Sequence, residues 1–257
     1  MLRRSLQSLG GEPAYRPVSG WQPWQAMLAV VLMFFAAAGA AVMVSAVLDV
    51  LRGPGASSPV PAGGGRDHVA VLVWLLTLQV VLTGLVVMAS RRRGGAVQRE
   101  LALAPPAQGI MAYLGGMALL IMIFGAYTAL VLLFRPEAAI EDVRPFADLI
   151  RSDVWWLALL VVGIGAPVSE ELVFRGFLFS ALAASRLGVL GAALITTTAW
   201  TSLHAGYSVY GLVEVFAVGL LFSWLLWKTG SLRVPLLCHA AYNSSIILAL
   251  RLVDLPA

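Results

Sequence analysis

Six residues in the second half of this chain are of types that do chemistry, and they stand among apolar runs where such types are costly. Glu170, Glu171 and Arg175 follow one run, His204 belongs to a second, and His239 and Asn243 lie four apart near the start of a third. Each Glu or Arg at the centre of a membrane helix costs about 2.5 to 3.5 kcal/mol, so three together cost roughly 8 to 10 kcal/mol unless paired or hydrated. At the helical repeat Glu171 and Arg175 share a face and can pair, which makes them supporting residues. Glu170 points away from Arg175 and stays available. A carboxylate beside a histidine can hold a water and take its proton. Glu170 is therefore the candidate general base, with His204 positioning the water. His239 and Asn243 share a helix face and can donate hydrogen bonds to a developing oxyanion.

The same residue types allow other chemistries. A Glu and two His are ordinary zinc ligands, and the set here would be Glu170, His204 and His239. No HExxH is present and the three stand on separate segments, so a metal-free mechanism without cofactor is the preferred reading, and zinc remains the alternative. Ionisable residues inside a membrane also suit a proton-coupled transporter. A non-catalytic scaffold or immunity protein is a third option.

The elements that must carry these residues are read from composition. The chain has 257 residues, 60% of them hydrophobic and 12% charged, with a mean hydropathy of +0.88. Seventeen basic and 13 acidic residues cannot cover a soluble domain of this size, so the chain is expected to be an all-α, polytopic membrane bundle. The net charge of +4 comes from short clusters between apolar runs, without the basic stripe and interleaved aromatics of a nucleic-acid binder. No nucleic-acid partner is expected. One cysteine, Cys238, permits no internal disulfide and suits simple packing.

Charge-free runs place spans near 25–48, 68–90 and 111–134, because about 20 apolar residues cross the hydrocarbon core. A fourth apolar run, 154–169, leads without a loop into the Glu170 cluster. Further runs at 187–213, 215–227 and 234–250 are broken by Glu214, Lys228 and Arg233. About seven crossings follow, within a range of roughly six to eight. Glu214 is expected to cap an interface. Pro167, with Gly163 and Gly165, is expected to kink or restart the helix just before the acidic pair. Three regions result: 1–105, an N-terminal transmembrane hairpin with a basic cytoplasmic loop; 106–153, a third span with an acidic extracytoplasmic loop; and 154–257, the catalytic membrane core.

Arginines at 3, 4, 16 and 91–93 against the acidic 135–153 segment place the N-terminus in the cytoplasm by the positive-inside rule. His204 lies 34 residues after Glu170, and a hairpin closing near the 186–188 break brings the two to one depth. His239 is harder to place. Measured from a turn at 229–231 it lies about 15 Å along its helix, whereas His204 lies roughly 24 Å from its own turn. Tilt, or a turn already submerged, must absorb the difference.

Glu170-Glu171-Leu-Val-Phe-Arg175 fits an EExxxR motif, Trp200-Thr-Ser-Leu-His204 resembles FxxxH, and His239-Ala-Ala-Tyr-Asn243 fits HxxxN, in that order. With these motifs the segment 154–250 resembles the CPBP (Abi) family of intramembrane proteases, which includes CAAX prenyl endopeptidases and bacteriocin-processing or immunity proteins. The 229–232 turn is also family-like. Trp200 departs from the usual Phe but keeps an aromatic one turn from His204. The resemblance implies peptide-bond hydrolysis within the bilayer, with a membrane-associated peptide or protein and the lipid bilayer as partners. Arginine-dominated basic residues suggest a bacterial source, hence a cytoplasmic membrane location and no prenylated native substrate. Oligomeric state is not legible.

Overall fold

The computed structural model describes residues 12–53, 67–92 and 96–253. Arg3, Arg4, most of the Gly/Pro/Ser-rich loop after Arg52, and Arg93 lie outside the described residues. Every regular element in the described part is helical. Helix α1 (Pro23–Arg52) and α2 (His68–Arg92) form the N-terminal hairpin, and a short α3 (Val97–Glu100) follows. Then come α4 (Ile110–Phe134) and α5 (Pro136–Arg151). The motif helix α6 (Trp155–Ala183) is continuous, and α7 (Gly188–Ser202), α8 (Val209–Thr229) and α9 (Arg233–Leu252) complete the bundle.

Five helices among the described residues, α1, α2, α4, α6 and α8, are long and apolar enough to cross a membrane. Their environments differ. Half of the most apolar window of α6 is buried within the protein, against 22% for α1 and 17% for α4. The chemistry-bearing helix is thus the enclosed one, while α1 and α4 present Phe35, Met43, Ile121 and Leu133 outward to lipid. Each of these outer helices touches the bundle through a narrow stripe, Ala26, Val30, Met33, Ala37 and Ala41 on α1, and Ala112, Gly116, Leu120 and Phe124 on α4. Small side chains at helical spacing let backbones approach where burial from water drives nothing.

Three expectations change. The acidic 135–153 segment, read as a loop, contains an amphipathic helix, α5, started by Pro136 and burying Ala138, Ala147, Leu149 and Ile150. Pro is well suited to the first turn of a helix, where its missing N–H is not needed. The apolar run 187–213 is two elements: α7 ends at Ser202 and α8 begins at Val209. Ser208 caps α8 by accepting from Gly211 N, and Asp142 of α5 accepts from both the Ser208 amide and hydroxyl at 2.5 and 2.8 Å. Glu214 therefore stands inside α8 rather than at its end, accepting from Thr128 and Tyr242.

The third change is at Pro167, where the span does not break: Trp155–Ala183 is continuous, and an α segment, Ala166–Glu170, starts there with Pro167 in its first turn. The helix widens instead into two π segments, Leu159–Gly165 and Glu171–Leu178, on either side of Glu170. In the first segment Ala166 N–H bonds to Val161 O, and the next residue, Pro167, has no N–H. The Val162 carbonyl is thus left without a donor from its own helix.

The turn between α8 and α9 is buried by two other parts of the chain. Ala14 and Tyr15 donate their amides to Lys228 O and Trp227 O, and Leu232 N donates to Ala102 O. Ser231 Oγ and Arg233 Nε donate to Ala104 O and Leu103 O at 2.6 and 2.7 Å. Tyr15 OH reaches Ser180 Oγ at 2.8 Å, and burial pushes this phenol up to about 12. Gly230 makes the turn with φ of 69° and with the Ala14 backbone 3.1 Å from where a Cβ would stand. Gly230→Ala is expected to lower stability by at least about 1 to 2 kcal/mol, read as a lower unfolding midpoint in detergent.

Candidate active site

Three helical segments, α6, α7 with the turn that follows it, and α9, bring the motif residues together. On α6, Arg175 Nη1 donates to Glu171 Oε1 at 3.1 Å, and both side chains are fully buried. His239 from α9 reaches the same Glu171 oxygen through Nδ1 at 3.0 Å. An ionised carboxylate only accepts, so Nδ1 carries the proton and Nε2 is turned toward Glu170. The His239 Nε2 to Glu170 Oε2 separation is 3.9 Å, and Glu170 keeps 24% of its side-chain surface exposed. One carboxylate is thus consumed by a buried cationic pair, and its neighbour remains accessible.

The indole of Trp200 occupies the centre of this arrangement. Its Nε1 donates to Glu170 Oε2 at 2.6 Å. The Arg175 guanidinium lies 4.3 Å from its ring centroid, and the rings of His204 and His239 meet it edge-on at 5.1 and 5.4 Å. His239 also lies against Phe222 at 5.1 Å. The α6 to α7 turn falls at 184–187, so the hairpin brings Trp200 level with Glu170. His204 lies one turn further on, in the 203–206 turn beyond the end of α7 and not within a helix. Its Nδ1 pairs with Trp200 O at 3.2 Å, and among the described residues it forms no ion pair with Glu170.

Asn243 shares the His239 face of α9 but serves another group. Its Nδ2 donates to Val162 O at 3.3 Å, the carbonyl that Pro167 leaves without a helical donor. An amide carries two N–H groups, so one remains for a ligand. Two further residues reach the site for which the motifs gave no polar role. Tyr207 meets the His204 ring edge-on at 5.3 Å. Burial, with the carboxylates of Asp142, Glu170 and Glu214 adding to it, pushes its phenol up to about 12, so it stands beside the site as a neutral O–H. Trp200 is the other. Its place in the motif gave only an aromatic one turn from His204, and the partner across the hairpin shows it to be a donor.

Below the indole, Arg175 Nη2 and Thr197 Oγ1 are buried without hydrogen-bond partners among the described residues. Gly219 of α8 makes this crowding feasible. A Cβ there would stand 2.7 Å from Thr197 Cγ2 and 2.9 Å from Arg175 Nη2. Gly219→Ala is expected to cost about 1 to 3 kcal/mol and to depress activity with it. Denaturation in detergent showing unchanged stability would mean that the Arg175 pocket opens without strain.

Among the described residues no three His, Cys, Asp or Glu side chains converge on one point. Glu170 Oε2 is taken by an indole N–H, and His239 is tied to Glu171. No step is derived through a metal.

Residues 152–245 match the family model for type II CAAX prenyl endopeptidase Rce1-like proteins. Over that segment the chain is similar to the CPBP family of intramembrane proteases. The CPBP match begins just before α6 and ends within α9, so it encloses all six motif residues and leaves α1 to α5 outside. Two curated proteins are similar over part of their lengths. An "Uncharacterized 24.3 kDa protein" of Escherichia coli is 35% identical over 96 residues, 37% of this chain and 44% of that protein. The "UPF0177 protein YxdF" of Lactococcus lactis subsp. lactis (strain IL1403) is 27% identical over 127 residues, 49% of this chain and 69% of that protein. The chain thus spans less than half of the E. coli relative. No solved structure matches. The apolar helices and this similarity together make it an integral membrane protein.

Proposed function

We propose that the protein is an intramembrane endopeptidase that hydrolyses a peptide bond of a membrane-associated peptide or protein with a water activated by Glu170. The observation that carries this reading is the division between the two adjacent carboxylates. Glu171 is fully buried against Arg175 and His239, whereas Glu170 is partly exposed and held by one donor from Trp200. A water about 2.8 Å from Glu170 lies within hydrogen-bond reach of the base that takes its proton. The resulting hydroxide attacks the scissile carbonyl carbon, and the carbonyl oxygen becomes an oxyanion.

His239, held at Nδ1 by Glu171, turns Nε2 toward that oxyanion as its hydrogen-bond donor. The second N–H of Asn243 donates beside it. Collapse of the tetrahedral intermediate breaks the C–N bond, and Glu170 returns the proton to the leaving amine. His204, at the edge of the site, orients the water. Neither a cofactor nor a nucleic acid enters this scheme. By its basic N-terminal segments the protein resides in a bacterial cytoplasmic membrane with the N-terminus inside.

The test is hydrolysis of a tagged membrane-peptide library by pure protein in detergent, comparing wild type with Glu170→Ala and His204→Ala. Loss of cleavage in the first and a strong reduction in the second are expected. Cleavage indifferent to both changes overturns the assignment. Solute uptake into vesicles that follows a pH gradient and requires Glu170, without any cleavage, would replace the protease with a transporter.

A further inference from the structure

Among the side chains around Glu170, one makes a close hydrogen bond to it, and the motif pattern alone gives that residue no polar task. The Trp200 indole N–H lies 2.6 Å from Glu170 Oε2, while the nearest ionisable partner, His239, stands at 3.9 Å. The indole is itself held on several sides. Arg175 covers its face at 4.3 Å, His204 and His239 meet it edge-on, and the ring is 3% exposed. A cation over an indole face is attracted to the ring, more strongly when desolvated as here, and Arg175 is in turn locked by Glu171. The chain of contacts therefore runs from the buried Glu171–Arg175 pair, through the indole, to the accessible Glu170.

We infer that Trp200 is a positioning residue whose N–H fixes the orientation of the Glu170 carboxylate, so that one oxygen is committed to the indole and the other is presented to water. The inference rests on the proteolytic reading for its consequence, though the hydrogen bond stands independently of it. A phenylalanine at this place would keep the ring contacts with Arg175, His204 and His239 but has no donor. Glu170 would then be free to rotate about its terminal torsions, and a carboxylate displaced by about 1 Å loses on the order of 10²-fold in rate.

Two measurements test this. In protein labelled with ¹⁵N at tryptophan, the Trp200 indole resonance is identified by its loss in Trp200→Phe. It is expected to lie downfield and to move upfield in Glu170→Ala, with a smaller movement in Glu170→Gln, which keeps an acceptor oxygen. An unmoved resonance in a folded Glu170→Ala protein overturns the inference whether or not the protein is a protease. For catalysis, Trp200 is replaced by 3-benzothienylalanine, in which sulfur takes the place of the N–H at nearly the same volume. The expected result is a kcat lower by about 10-fold to 10²-fold with KM unchanged, as befits a lost orientation. An isostere with wild-type kcat overturns the positioning role. A wild-type preparation that hydrolyses nothing removes the proteolytic reading, and the indole resonance then decides whether Trp200 holds Glu170.

Discussion

Glu170→Gln is expected to lower kcat by about 10²-fold to 10⁴-fold while leaving stability within about 0.5 kcal/mol of wild type. The amide has the shape of the carboxylate and retains an oxygen to accept from the Trp200 indole, whose 2.6 Å contact is the main restraint on this side chain. It cannot take a proton from water at neutral pH. The variant therefore separates the chemistry of residue 170 from its packing. Both quantities are needed: single-turnover cleavage of a membrane peptide for the rate, and unfolding in detergent for the stability. Wild-type turnover in a folded Glu170→Gln protein would remove Glu170 from the role of base.

The neighbouring carboxylate is expected to behave in the opposite way. Glu171→Ala leaves the Arg175 guanidinium fully buried with its ionic partner gone and His239 Nδ1 without its acceptor. Breaking a buried ion pair in this manner costs about 3 to 5 kcal/mol. Activity falls as well, because His239 is no longer held toward Glu170. Replacing both members, Glu171→Met with Arg175→Met, removes the charges together at similar volume and is expected to recover most of the lost stability. It is not expected to recover activity, since the His239 anchor and the cation over Trp200 are both gone. The stabilities of the two singles and the double form a thermodynamic cycle. A double variant no more stable than Glu171→Ala would show that the pair is not the source of the cost.

These two predictions concern adjacent residues, and the contrast between them was partly legible in the sequence. Side chains four apart on a helix meet, so Glu171 and Arg175 could be paired and Glu170 set apart without any coordinates. The π segment on which both stand changes the local winding but leaves that pair in contact. The positions of α1, α2 and α4 were legible for a related reason. A long uncharged run has few alternatives to a membrane span, and the three helices end at or beside the charges Arg52, Arg91 and Arg135. The amphipathic α5 was not legible. Its acidic residues and internal Pro145 resemble those of a loop, and what makes it a helix is the burial of its apolar face.

Relations between helices needed the folded chain. His239 and Asn243 share a helix face, as the four-residue spacing requires, yet one reaches Glu171 and the other the Val162 carbonyl. The need for that second contact arises in α6, at Pro167, far away in sequence. The depth of His239 had a similar cause. It reaches the level of Glu170 only about two turns into α9, and the preceding turn is packed under the 14–15 and 102–104 segments. Periodicity describes one helix at a time and carries no information on how far one helix slides against the next.

The chain's composition and spacings were therefore sufficient for an all-helical membrane protein with a costly cluster of ionisable groups, because hydrophobic length and helical repeat are local properties. Which carboxylate is anchored by a histidine, which indole holds the other, and which carbonyl an asparagine serves are contacts between segments remote in sequence. They were set when loops, caps and a submerged turn fixed the offsets between helices.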